Sequence, residues 1–101
     1  MVTVAQISRA ASDYYRIPQH VLFSPRRERP IVRPRQVVMY LAREMTQHSF
    51  PEIGRYLGQD GRVYDHTTVL YAWRRVNQLC ADDDGTRNAV AAIRKRAERT
   101  A

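Results

Sequence analysis

Ser49-Phe50-Pro51-Glu52-Ile53-Gly54-Arg55-Tyr56-Leu57, then a connection from Gly58 to Tyr64, then Asp65-His66-Thr67-Thr68-Val69-Leu70-Tyr71-Ala72-Trp73, decide how this chain folds. Ser49 followed three residues later by Glu52 is a capping box, in which the Ser hydroxyl accepts a first-turn N–H and the Glu carboxylate reaches back to the N–H of the cap. The helix it opens runs to Leu57, and Gly58 suits the C′ position that follows. Asp65 caps a second helix in which Val69, Ala72, Trp73, Val76 and Cys80 recur at core spacing, which leaves Thr67, Tyr71, Arg74 and Gln78 on one polar outer face. A short capped helix, a turn containing two glycines and a longer helix predict a helix-turn-helix over about residues 49–81.

Toward the N-terminus, Thr3 caps a helix from about Val4 to Tyr15, with Val4, Ile7, Ala11 and Tyr14 at helical spacing. Pro18 opens a short further turn carrying Val21, Leu22 and Phe23, ended by Ser24 and Pro25. Arg26, Arg27, Glu28, Arg29, Pro30, Ile31, Val32 and Arg33 lie between Pro25 and Pro34, and the prolines predict a basic loop over residues 24–34 in place of helix. Pro34 then serves as the first residue of a helix reaching about Thr46. Its Val38, Leu41 and Met45 face inward and Gln36, Tyr40, Arg43 and Gln47 form the opposite stripe. Beyond the helix-turn-helix, Asp82, Asp83, Asp84 and Gly85 interrupt the pattern as a solvated linker or cap. Thr86 starts a last helix with Val90, Ile93 and Ala97 inward and Arg87, Arg94, Lys95, Arg96 and Arg99 largely outward. Trp73 and the six tyrosines read mostly as core. The expectation is an all-α, compact helical domain occupying residues 1–101 as a single unit.

With 101 residues and 44% hydrophobic content the chain builds one small core. Formal charge is +7, and sixteen of the seventeen basic residues are arginine, whose planar forks suit phosphates and guanine edges. That points to a polyanionic partner; arginine-favouring codon usage explains the choice over lysine but not where the charges lie. A lone cysteine and the scattered His20, His48 and His66 give no disulfide framework and no paired zinc spacing, so neither metal nor cofactor is expected. The longest apolar run, Val37 to Ala42, is far short of a membrane span, and with no signal pattern at the N-terminus the expected location is cytoplasmic. None of the four glycines is followed by lysine, which excludes a phosphate loop within these residues. His66 beside Asp65 at a helix start is no catalytic triad, so an enzyme is not expected. Asp82 to Asp84 lack the alternating ligands of a calcium loop, and Gly58-Gln59-Asp60-Gly61 has the form of an RNA-clamping GXXG loop without the strands that fold requires.

Position decides what the charge is for. The N-terminus of the second helix of the pair carries free N–H groups and a positive dipole end, and Asp65, His66, Thr67 and Thr68 add small polar groups and a thymine-compatible methyl. Arg26, Arg27, Arg29 and Arg33 in the loop, with Arg35 and Arg43 beyond it, supply positive charge for phosphates or a narrow minor groove. Two separate elements then clamp one duplex. Against this stands the ordinary reading of such a run as a solvated surface, and of His66 and Thr67 as plain first-turn residues.

Arg33-Pro34-Arg35-Gln36, Tyr40-Leu41-Ala42-Arg43-Glu44, Ser49-Phe50-Pro51-Glu52-Ile53-Gly54 and Asp65-His66-Thr67-Thr68-Val69, in this order and spacing, resemble the C-terminal DNA-binding domain (domain IV) of the bacterial replication initiator DnaA. The likeness extends from about Val4 to Leu79. It implies a Trp-repressor-like helix-turn-helix and sequence-specific binding to a DnaA box, a short asymmetric element of double-stranded DNA. The recognition helix lies in the major groove and the basic loop in the minor groove. By resemblance, Asp65, His66, Thr67 and Thr68 face bases or flanking phosphates, Arg27 enters the minor groove and Arg35 reads a base edge. Gln36, Arg43 and Pro51 then support contact chiefly with the backbone. Arg26, Arg29 and Arg74 join the DNA-binding set by charge and position.

This sequence departs from the family pattern in its turn, where Gly58 to Tyr64 replaces a glycine-rich connection of about three residues, and at Tyr71, where histidine is common. The family's ATPase motor is not encoded in these residues, so the expectation is a stand-alone DnaA-like protein of the nucleoid. It would regulate replication initiation or transcription, with other replication-initiation proteins as further partners. The alternative, from a different class, is a protein-interaction module that kept the fold and binds DNA without sequence preference.

Overall fold

The computed structural model describes residues 1–100 and contains six helices: α1 (Val4–Tyr15), α2 (Gln19–Leu22), α3 (Arg29–Met45), α4 (Phe50–Leu57), α5 (His66–Asp82) and α6 (Asp84–Arg99). Among the described residues there is no strand, and the fold is all-α. The starts are set locally. Thr3 and Gln6 exchange side-chain to backbone hydrogen bonds at 3.2 and 2.8 Å, as do Ser49 and Glu52 at 3.3 and 2.9 Å, so α1 and α4 both open with complete capping boxes. Asp65 and Asp83 cap α5 and α6 through single carboxylates. The last helix therefore begins at Asp84, earlier than its apolar pattern suggests, and Thr86 is buried with its hydroxyl on Asp83 Oδ2 at 2.5 Å.

The largest departure from expectation is α3, which begins at Arg29 and not at Pro34. Ile31 and Val32 N–H both donate to the Glu28 carbonyl, at 2.9 and 3.0 Å, so Pro30 falls in the first turn, where a missing N–H costs nothing. Pro34, inside the helix and buried, removes one bond near the helix start, and the rest of the helix is held by packing. The irregular basic segment shrinks to residues 23–28, and Arg29 and Arg33 become helical.

The outward stripe expected on α3 is also corrected at Tyr40, which is 8% exposed. Every residue from Val37 to Ala42 is buried because α3 packs against all five other helices and its middle has no solvent face. The Tyr40 ring stacks on Trp73 of α5 with centroids 6.3 Å apart. Around α3 the core gathers Ile7 from α1, Leu22 from α2, Ile53 from α4, Val69 and Val76 from α5 and Ile93 from α6. Trp73 is half-buried against this core, with its indole N–H on Glu44 Oε2 at 3.0 Å. The tyrosines are not mostly core: Tyr14, Tyr56 and Tyr71 are exposed.

Candidate nucleic-acid interface

The tip of α5 stands free. Asp65, His66, Thr67 and Thr68 are all exposed, and the same side of the helix continues through exposed Tyr71, Arg74, Arg75 and Gln78. Asp65 Oδ1 accepts from the Thr67 N–H at 2.8 Å and from its hydroxyl at 2.7 Å. These bonds, the backbone one foremost, hold the Asp65 carboxyl below the usual carboxylate range. His66 Nδ1 lies 3.4 Å from the same oxygen, so the cap also orients the imidazole. With Thr67 turned back on Asp65, the hydroxyl of Thr68 and the Nε2 edge of His66 are the side-chain groups at the tip turned away from the cap.

In the basic segment Arg26 and Arg27 are exposed. Arg35, from the second turn of α3, sets their position. Its Nε donates to the Leu22 carbonyl at 2.8 Å, and Nη2 donates to the carbonyls of Ser24 and Arg26 at 2.8 and 2.9 Å. Its guanidinium carbon also lies 5.7 Å from the ring centre of Tyr64, the residue just before the α5 cap. One side chain therefore touches both the backbone that carries Arg27 and the entry to α5. Burial raises the Tyr64 phenol above its ordinary value, with Arg35 and Arg62 opposing.

The other residues chosen from sequence lie along α3 and at the start of α4. Arg43 Nη1 donates to the His48 carbonyl at 3.0 Å, and its guanidinium lies 4.8 Å from the Phe50 ring centre, which fixes the entry to α4. Pro51 is exposed in the first turn of α4. Arg33 Nε donates to Gln36 Oε1 at 3.1 Å, both half-buried, while Arg29 is exposed at the start of α3. Sequence reasoning passed over Arg62 in the turn and Arg75 on α5, both exposed. In a chain with sixteen arginines, charge alone does not single either one out.

The angle between α4 and α5 depends on close backbone approach. Tyr64 N–H donates to the Gly54 carbonyl at 3.1 Å, and a Cβ at Gly54 would collide with the Tyr64 carbonyl. Gly58, expected as a left-handed C′ residue, has φ −68° and ψ 154°. Glycine is needed there for a different reason, since a Cβ would run into the Arg62 carbonyl.

The family model described as "Bacterial dnaA protein helix-turn-helix" matches residues 4–76, from the start of α1 into α5. The chain belongs to that family. The DnaA helix-turn-helix is a DNA-binding element, not a catalytic one, and the exposed tip of α5 and the arginine-bearing segment held by Arg35 lie within the matched span. Among the described residues no group of three His, Cys, Asp or Glu could hold a metal ion, and no helix is long and apolar enough to cross a membrane.

Proposed function

We propose that this DnaA-family chain recognises a specific, asymmetric DnaA-box-like sequence in double-stranded DNA, with the start of α5 in the major groove and Arg27 in the neighbouring minor groove. The observation that supports the reading is Arg35, which contacts the Arg26 carbonyl and the Tyr64 ring together and so ties the backbone next to Arg27 to the residue just before the α5 cap. Asp65 organises the helix start, His66 and Thr68 face base edges, and Thr67 acts through its methyl, because its hydroxyl is turned to Asp65. Arg26, Arg29 and Arg74 contact phosphates, and Gln36, Arg43 and Pro51 support the backbone from α3 and the start of α4. Arg35 acts by placing Arg27, a role its three carbonyl bonds favour over reading a base.

By occupying such boxes, the chain would compete with or redirect assembly of a full-length initiator at an origin in the nucleoid, or control transcription there. Selection of bound sequences from a random DNA pool tests the reading without assuming a box. An asymmetric consensus is expected, and a flat result overturns it. His66→Ala should then cost roughly 1–3 kcal/mol of discrimination between the selected sequence and a scrambled one at equal salt. Equal losses on both sequences would remove direct base readout by His66.

A further inference from the structure

The connection that lengthens this helix-turn-helix is a built turn. Asp60 and Gly61 are both left-handed, at φ 57° and 76°, and the Arg62 N–H donates to the Gln59 carbonyl at 3.1 Å. Positive φ at both central residues defines a type I′ turn, which reverses the chain through two central residues. It is tied down on both sides. Gln59 Nε2 donates to the His20 carbonyl of α2 at 2.8 Å, Tyr64 N–H is held by Gly54, and Gly58 packs directly under the Arg62 carbonyl. Arg62 and Val63 are left exposed beside the reversal, Val63 at 64%.

Where the turn sits matters as much as its order. Across a shallow cleft, Phe23, Ser24 and Pro25 at the start of the basic segment face Gln59, Arg62 and Tyr64 of the turn. Tyr64 leads straight into the Asp65 cap, so the turn borders the start of the basic segment on one side and the α5 cap on the other. The major and minor grooves of a duplex are separated by a phosphodiester strand, and a surface that enters both must face the phosphates of that strand. Resting on the reading above, we propose that Arg62, presented by the type I′ turn, contacts the phosphates of the strand that separates the two grooves. Its planar fork suits a phosphate, and a turn already fixed at its backbone leaves only the side chain to be ordered on binding. The longer connection thus adds a third contact between the other two.

Equilibrium binding of the full chain to a selected and a scrambled duplex, across a salt series, tests this with Arg62→Ala and Arg62→Lys. Loss of one phosphate contact lowers the slope of log affinity against log salt by about 0.9, which is about eightfold in affinity near 0.1 M salt. The expected result is that Arg62→Ala shows this loss equally on both duplexes, with an unchanged ratio between them and an unchanged melting temperature, while Arg62→Lys keeps the slope. Unchanged affinity and slope in Arg62→Ala, or a loss confined to the selected duplex, overturns the inference. If the unsubstituted chain fails to discriminate between the duplexes, specific recognition fails, and the slope change in Arg62→Ala still decides whether Arg62 meets a phosphate.

Discussion

Arg35 separates two kinds of contribution to binding. A base-reading arginine needs free N–H groups at the interface, and here Nε and Nη2 are bonded to the carbonyls of Leu22, Ser24 and Arg26, which leaves Nη1 alone for any other contact. Those carbonyls close the irregular segment between α2 and α3, and removing the guanidinium leaves them without it. Arg35→Ala should lower stability by about 1–3 kcal/mol, read as a fall in melting temperature, and weaken binding to selected and scrambled DNA alike because Arg27 is no longer held in place. Lysine has one donor centre and cannot span three carbonyls, so Arg35→Lys should recover little of the loss. An Arg35→Ala protein with unchanged melting temperature and a relaxed preference at one base pair would make Arg35 a reader after all. These contacts were hidden in the sequence because their partners are backbone carbonyls nine to thirteen residues away, which no side-chain spacing reports.

Helix starts were readable because their bonds are local. The caps at Thr3, Ser49 and Asp65 each join groups two or three residues apart, and α1, α4 and α5 begin where those residues predict. The start of α3 was not readable, because Pro34 is tolerated inside a helix only when tertiary packing holds the turn around it, and that packing involves all the other helices. Three of the caps carry a pH dependence with a definite sign. Ser49 holds the Glu52 carboxyl low, chiefly through its backbone N–H; the Thr67 N–H does the same for Asp65, and the Thr86 hydroxyl and N–H for Asp83. A folded-state value below the unfolded one means that the stabilisation is complete above about pH 5, where the unfolded carboxyls are ionised, and is lost as pH falls through the lowered values. Melting temperature should therefore hold between pH 7 and 5 and decline below about pH 4. Asparagine caps without titrating, so Asp83→Asn should stay close to the unsubstituted chain at pH 7 and lose less on acidification. If the two chains show the same acid profile, the Asp83 cap contributes nothing to it.

The family match ends at Val76, but the core does not. Ile93 and Ala97 of α6 are fully buried, and α6 packs along α1, α3 and α5, so the helix that follows the matched region closes the same core that carries the helix-turn-helix. The inward register of Val90, Ile93 and Ala97 was visible in the sequence as helical spacing. Which helix they would meet was not, because that pairing joins the last helix to the first: Gln6 of α1 donates to the Thr100 carbonyl at 2.8 Å, and Asp13 pairs with Arg96 at 3.8 Å. A single shared core predicts a single transition. Ile93→Ala should lower stability by about 2–5 kcal/mol through lost burial and the cavity left behind. The Trp73 fluorescence transition, which reports α5 against Tyr40 and Phe50, should move with the far-UV helical signal by the same amount, although Ile93 lies in another helix. For a domain of this size the fall in melting temperature is roughly 4–8 °C for each kcal/mol. A variant in which helical signal is lost first while Trp73 keeps its original midpoint would show instead that α6 folds as an appendage, with the matched residues stable by themselves.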